Sequence, residues 1–267
     1  MRLKHQPTEQ LKQTPHIVAF LDFLGASEKM RDPAKNDKFL QDICTVYNFA
    51  KHILKETEKN RKNKLEIKIF SDNILVAEKI EDSNAHHSVF DAYMDVEQFS
   101  LILYMNAMLT GNFMRGKISI GQLYVDDTLV YGQALIDAHD GEAKIANYPR
   151  IIVDKEILVR SGKNICDTFH PHDEEKIILR DMDGELYLSP FWGTPKIAED
   201  KRKQEESLLY SVGTAIVNEY KEIFAKDRKA IFPKYHWLAN QFNVYCHVNN
   251  YPFLINLDKL TLGVKHE

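Results

Sequence analysis

Two aspartates stand where carboxylates can be aimed at one point. Asp22 lies near the end of Ile17-Val18-Ala19-Phe20-Leu21-Asp22-Phe23-Leu24-Gly25-Ala26-Ser27, an apolar, β-branched and aromatic run of strand length that turns at Gly25. Asp72 lies in Leu65-Glu66-Ile67-Lys68-Ile69-Phe70-Ser71-Asp72-Asn73-Ile74-Leu75-Val76-Ala77, where an alternating strand meets a hairpin turn. A single Asp after a strand often only caps the next helix, a task Ser27 would do equally well. Two acidic strand tips instead suggest a divalent-metal site. The other metal-like cluster, Cys166, Asp167, His170, His172 and Asp173, holds Pro171 and lacks ligand spacing, so it reads as a polar loop. His86-His87 reads as a helix entry.

Both tips need a scaffold. Apolar residues at helical spacing predict a helix over 37–58, and Phe90, Tyr93, Met94, Phe99, Leu101, Ile102 and Met105 predict another over 88–111, closed by Gly111. That aromatic and methionine stripe is core packing. Residues 113–124 read as one long strand in which Gly116 and Gly121 permit a bulge or close approach, and Asp126-Asp127 marks its exit. A short strand over 129–131 precedes Gly132. A helix follows over 134–146, with Leu135, Ala138, Glu142 and Ile145 available to one face, and then a strand over 148–153. Beyond it come a short helix over 154–162, two strand-like runs around the Asp183-Gly184 turn, and helical patterns over 199–225 and 229–242.

Phe20-Leu21-Asp22-Phe23-Leu24-Gly25 resembles the first metal-binding motif of class III nucleotidyl cyclases, and Phe70-Ser71-Asp72 occupies the place of that family's second metal Asp. Arg115-Gly116-Lys117-Ile118-Ser119-Ile120-Gly121 is similar to the family's Arg-Ile-Gly-Ile-x-x-Gly strand, followed by Gly132 opening a helix. More closely, Arg115-Gly116, Ala138, Glu142 and Tyr148-Pro149-Arg150-Ile151-Ile152 resemble the pyrimidine-cyclase branch of Pycsar antiphage defence, and Lys234-Tyr235-His236-Trp237-Leu238-Ala239 with Phe242-Asn243 does so more loosely. The motifs span about residues 15 to 155. The resemblance implies an α+β fold: a ferredoxin-like core, a mixed, mainly antiparallel sheet with helices on one side, and a C-terminal helical extension. The expected organisation is a flexible arm over 1–14, a cyclase domain over 15–195 and the extension over 196–267.

The chemistry so implied is attack of a ribose 3'-hydroxyl on the α-phosphate of a nucleoside triphosphate, with pyrophosphate leaving. Two Mn2+ or Mg2+ ions per site would be held by Asp22, Asp72 and the backbone carbonyl of Phe23. Leu24, Gly25 and Ser27 would meet the phosphates with backbone amides and a hydroxyl. Lys68, four residues before Asp72 where purine cyclases read the base, and Phe70 would line the base pocket, sharing a strand face with Asp72. Lys68 paired with Glu66 is the alternative. Where purine cyclases carry an Asn and a transition-state Arg after Gly132, this chain has Ile136 and Asp140; Lys144, Arg115 or Arg150 could substitute, which leaves the phosphate-binding cation unassigned. Composite sites in the family imply a homodimer. Trp237, Leu238 and Phe242 would reinforce it or simply cap the core.

Composition agrees with a soluble protein. The chain has 267 residues, 44% hydrophobic and 28% charged, so one large or two small domains can bury a core. No run approaches the roughly 20 apolar residues of a membrane span, and 1–15 lacks a signal-peptide core. The expected location is cytoplasmic, with Cys44, Cys166 and Cys246 reduced. A net charge of −4 provides no global basic field for nucleic acid. The basic runs Lys59-Asn60-Arg61-Lys62-Asn63-Lys64 and Lys201-Arg202-Lys203 read as solvated surface.

The resulting expectation is a uridylate cyclase making cyclic UMP from UTP, whose product activates a separate effector after phage infection. Conversion of CTP to cyclic CMP is the runner-up. A catalytically inactive nucleotide sensor and a polymerase-type palm are the readings from other classes, the palm disfavoured by the single Asp at the hairpin.

Overall fold

The computed structural model describes residues 11–57, 65–162, 178–191, 202–226 and 230–264. The Cys166 to Asp173 cluster, the basic run 59–64, Lys201 and most of the expected arm lie outside these residues.

β1 (Thr14–Phe23) is followed by a short α1 (Ala26–Arg31), α2 (Asn36–Thr57), the hairpin β2 (Glu66–Phe70) and β3 (Asn73–Lys79), α3 (His86–Leu109) and β4 (Met114–Val125). The sheet runs in the order β2-β3-β1-β4, with β1 antiparallel to both neighbours. That order and the β-α-β-β-α-β succession make the expected ferredoxin-like core. Then come β5 (Val130–Tyr131), α4 (Gln133–Lys144), β6 (Ile151–Val153), α5 (Lys155–Ser161), β7 (Ile178–Arg180) and β8 (Leu186–Leu188). β6 adds parallel to β4, and β8 and β7 extend the sheet antiparallel beyond it. The fold is α+β with a mixed, mainly antiparallel sheet.

Helices cover both faces of that sheet, not one. Ile17, Ala19, Leu21 and Phe23 of β1 enter the large core with α2 and α3, whereas Val18 and Phe20 join Leu75, Leu123, Ala134 and Ala138 under α4. A strand apolar at both parities must be buried on both faces, and the continuous run Ile17-Val18-Ala19-Phe20-Leu21 already met that condition.

Gly116 lets β4 press against β1. A Cβ there would stand 2.5 Å from the Phe20 carbonyl oxygen and 2.6 Å from Leu21 Cδ2, in the centre of the sheet where backbone cannot yield. Gly116→Ala is therefore expected to cost about 1–3 kcal/mol by overpacking, read as a lowered midpoint in urea.

The C-terminal segment is α6 (Arg202–Ala225), α7 (Phe232–Val248) and a hairpin, β9 (Phe253–Asn256) and β10 (Thr261–Val264), so the extension is not purely helical. Asn243 of α7 ties the hairpin down, its side chain accepting from Ile255 N at 2.7 Å and donating to Ile255 O at 2.9 Å. Leu238 and Phe242 have no exposed surface and belong to the same core as the sheet, and Phe113 meets Tyr235 edge to face at 5.4 Å. These helices cap the core of their own chain.

Candidate active site

Strand register assembles the site. In β1, Asp22 is paired with Asn73 of β3 on one side and Arg115 of β4 on the other. The two-residue turn between β2 and β3 holds Ser71 at φ 59, and the Asp72 carbonyl accepts from Phe23 N at 3.3 Å. Asp72 is thereby fixed beside the end of β1, half-buried, with Asn73 Nδ2 3.4 Å from its Oδ1. The two sequence-expected carboxylates are neighbours in space.

Arg115 Nε donates to Asp22 Oδ2 at 3.2 Å, and its Nη2 lies 2.7 Å from Glu142 Oε1. Glu142 comes from α4, which lies along β4: Ser119 Oγ donates to the Ala134 carbonyl at 2.7 Å, and the Lys117 stem crosses bare Gly141. A Cβ at Gly141 would collide with that stem, so the glycine is what lets the helix sit low enough for Glu142 to reach Arg115. Two carboxylates, Asp22 and Glu142, thus hold one guanidinium, and Asp72 lies near enough to Asp22 to act on its charge.

Their crowding appears in the protonation of Asp22. Burial first, then Glu142, and to a smaller extent Asp72, raise its carboxyl to about 7 against the opposing pull of Arg115. The folded value exceeds the unfolded one, so in the bare protein this group favours folding below about pH 4 and loses that contribution as pH rises towards 7.

The remaining expected residues fall in different places. Leu24 and Gly25 line a cleft beside Asp22, and Gly25 takes the left-handed φ of 76 that starts α1. The amides of Ala26 and Ser27 have no partner among the described residues; the Ser27 side chain is exposed. Phe23 packs its ring on Phe39 in the core. Phe70 is exposed and 5.9 Å from the Phe20 ring, which also meets His139. Lys68 stands 3.9 Å from Glu66 Oε2, the pairing along the edge. Lys144 is exposed and held by Asp140 at 2.7 Å.

Arg150 is withdrawn from the site. It has no exposed surface, and its guanidinium is bound to Asp181 and Asp183 between the rings of Tyr148 and Tyr187. Trp237 stacks on Tyr148 and donates to Asp181 at 2.9 Å. This candidate cation is a fastener between β6, the β7–β8 turn and α7.

Sequence reading did not count Glu142 or Lys234 among the site residues. Glu142 carried a signal, a carboxylate on the apolar face of its helix. Lys234, in the first turn of α7, lines the same cleft as Asp22 and Arg115 from 119 residues beyond Arg115 (234 − 115), a distance no local pattern spans. Among the described residues no three or more His, Cys, Asp or Glu side chains form a metal-holding group, and no helix is long and apolar enough to cross a membrane.

No protein-family profile matches the chain, and no curated protein matches it. Solved structures similar to it include the adenylyl cyclase CyaB from P. aeruginosa, 13% identical, covering 66% of this chain and 94% of that one with a TM-score of 0.42. The catalytic core of a rhodopsin-guanylyl cyclase with converted specificity is 12% identical, with 67% and 97% covered and a TM-score of 0.40. The guanylyl cyclase domain of the RhoGC fusion protein from the aquatic fungus Blastocladiella emersonii is 10% identical, with 66% and 94% covered and a TM-score of 0.39. The chemistry of the cleft is a matter of this chain's own residues.

Proposed function

We propose that the chain is a nucleotide cyclase acting on a pyrimidine nucleoside triphosphate, converting UTP to 3',5'-cyclic UMP and pyrophosphate, with CTP as the alternative substrate. The observation that carries the reading is that Asp22 and Asp72 sit at adjoining strand ends, Asp22 lining a cleft with Arg115 and Lys234 and Asp72 held next to it by the bond from Phe23 N. The pyrimidine assignment rests on the resemblance of Tyr148-Pro149-Arg150-Ile151-Ile152 and on Ile136 and Asp140 standing where purine cyclases carry Asn and Arg. The proposal extends to a cytoplasmic homodimer generating a signal for an effector in antiphage defence.

The donor set fits Mn2+ or Mg2+, which take hard oxygen ligands and neutralise clustered carboxylates. Asp22 and Asp72, with the Phe23 carbonyl, would hold the ions. When bound, they supply the Lewis acidity that lowers the pKa of the 3'-hydroxyl and a counter-charge for the triphosphate. Arg115 orients Asp22 through its Nε and is itself oriented by Glu142. The backbone at Leu24 and Gly25 offers a floor for the phosphates, and Phe70 an exposed aromatic surface for the base.

Protonation of Asp22 gives a thermal test of this ion site. Mn2+ at about 100 times its Kd at pH 8 is expected to raise the melting temperature by roughly 5–10 °C, from about 2.7 kcal/mol of linkage at 2–4 °C per kcal/mol. At pH 6, where Asp22 holds its proton, affinity falls about tenfold and the shift by about half.

Activity is tested by incubating the purified chain with Mn2+ and ATP, GTP, CTP or UTP separately and identifying products by mass spectrometry. Cyclic UMP or cyclic CMP supports the proposal and names the base. A purine product overturns the pyrimidine assignment, and no product from any of the four favours the nucleotide-sensor reading.

A further inference from the structure

The cleft beside Asp22 has a wall that the catalytic strands do not supply. α6 and α7 close it, and α6 is fastened to the segment after β1 by ion pairs that engage three of the lysines lining the cleft. Lys29 stands 3.4 Å from Glu219 and donates to Asn112 at 2.8 Å; Lys35 pairs with Glu222; Lys226 lies 2.6 Å from Glu222 and 3.4 Å from Glu28. Arg115 is taken by Asp22 and Glu142. Lys234 differs from all of them. It is half-buried, lines the cleft with Asp22, Gly25 and Arg115, and has no side-chain hydrogen bond or ion pair among the described residues.

Two features set that lysine apart from ordinary surface charge. A part-desolvated ammonium without a counter-ion is unfavourable, and a cation in the first turn of a helix opposes the helix dipole. α7 has no acidic residue in that turn to offset it. Burial, and then Arg115, lower the Lys234 pKa, while Asp22 and Glu142 pull it upward, so the ammonium senses the centre of the site electrostatically. A local rule broken at a cleft without visible compensation marks a functional position.

We propose that Lys234 is a substrate-contacting residue that supplies, from the same chain, the cation for the polyphosphate of the bound nucleotide; this rests on the cyclase reading above. As the 3'-oxygen bonds to the α-phosphorus, the bond from that phosphorus to the bridging oxygen breaks and its electron pair leaves on pyrophosphate. The 3'-hydroxyl proton passes to solvent. Lys234 meets the charge that accumulates on the leaving group. The C-terminal segment is then part of the site, in place of the cation absent at Asp140.

The test measures binding of inorganic tripolyphosphate with Mg2+ to the full chain by calorimetry, alongside kcat/KM for the accepted nucleotide. Lys234→Met keeps the packed stem and removes the charge, Lys234→Gln is a second neutral side chain, and Lys234→Arg restores a cation. Lys79→Ala, at the far end of β3, controls for net charge. Expected are a tenfold or greater loss of tripolyphosphate affinity in both neutral variants and an effect within threefold for Lys234→Arg and Lys79→Ala. The nucleotide's kcat/KM falls at least as far. A neutral variant with a native melting temperature and wild-type tripolyphosphate affinity overturns the proposal, as does a wild-type chain that does not bind tripolyphosphate. Lys234-dependent tripolyphosphate binding without turnover of any nucleotide supports the polyphosphate site while the cyclase reading fails.

Discussion

The Asp22→Asn protein is expected to form no detectable cyclic nucleotide, a loss of at least about 10³-fold in kcat, while melting at or above the wild-type temperature at pH 8. The two effects have one cause. Asn retains an oxygen for Arg115 Nε but lacks the charge that would hold a divalent ion, so catalysis goes. The same charge is buried against Glu142 and Asp72, and its ionisation above pH 7 is unfavourable in the bare protein. Its removal is expected to stabilise the fold by about 1–2 kcal/mol at pH 8. Asp72→Asn, at the half-buried hairpin turn, is expected to lose turnover with little change in melting. Mass spectrometry of the product and a thermal melt on the same samples check both; retained turnover in either variant sinks the carboxylate assignment.

Removing Arg150 is expected to be the most damaging single change to stability, about 3–5 kcal/mol, or roughly 10 °C in melting temperature. The guanidinium is wholly enclosed and binds both Asp181 and Asp183, and Asp181 also accepts from Trp237. Burial works against the ionised Asp183, yet the hydrogen bonds from Arg150 and the Glu185 amide keep its carboxyl below the usual carboxylate range. Arg150→Ala strands a buried carboxylate and opens a space between two rings. Arg150→Lys is expected to recover less than half of the loss, because an ammonium neither forks between two carboxylates nor stacks on Tyr148. Urea denaturation gives both values. A loss of under 1 kcal/mol in Arg150→Ala would return this arginine to the list of candidate phosphate cations.

That network explains what the motif around Tyr148-Pro149-Arg150 encodes. The residues on which the proposed pyrimidine assignment leans, Tyr148 and Arg150, and Trp237 more than 80 positions later, meet each other rather than the cleft. A sequence motif reports that residues matter together; whether they matter for packing or for substrate depends on burial, which Arg150 decides by having no exposed surface.

The placement of Asp22 and Asp72 at adjoining strand ends was legible because strand alternation and a tight turn are local, and antiparallel register then brings Arg115 across to Asp22 without further information. The ferredoxin-like order was legible for the same reason. The second helical layer is the point where expectation and structure differ: both parities of Ile17-Val18-Ala19-Phe20-Leu21 are apolar, which requires cover on both faces of the sheet. The hairpin after α7 went unread because β9 and β10 are four residues each, too short for a pattern. Lys234 was legible only within the loosely resembling stretch Lys234-Tyr235-His236-Trp237-Leu238-Ala239, and not as a residue of the cleft, for a different reason. Its place beside Asp22 follows from how α7 docks, and docking is set by the packing of Tyr235, Leu238 and Phe242 rather than by any spacing around the lysine.

The ion pairs that fasten α6 to the stretch after β1 join residues about 190 positions apart, Lys29 to Glu219 at 3.4 Å. During synthesis the strand bearing Asp22 leaves the ribosome long before its cleft has a far wall. At about 5–20 residues per second, roughly 10–40 s separate the emergence of Asp22 from that of Lys234. Throughout that interval the nascent chain carries both aspartates and the β1–α1 turn but no α7 to close over them. A chain stalled or clipped before α7 has both aspartates and the α6 side of the cleft but lacks the wall that Lys234 and Tyr235 supply.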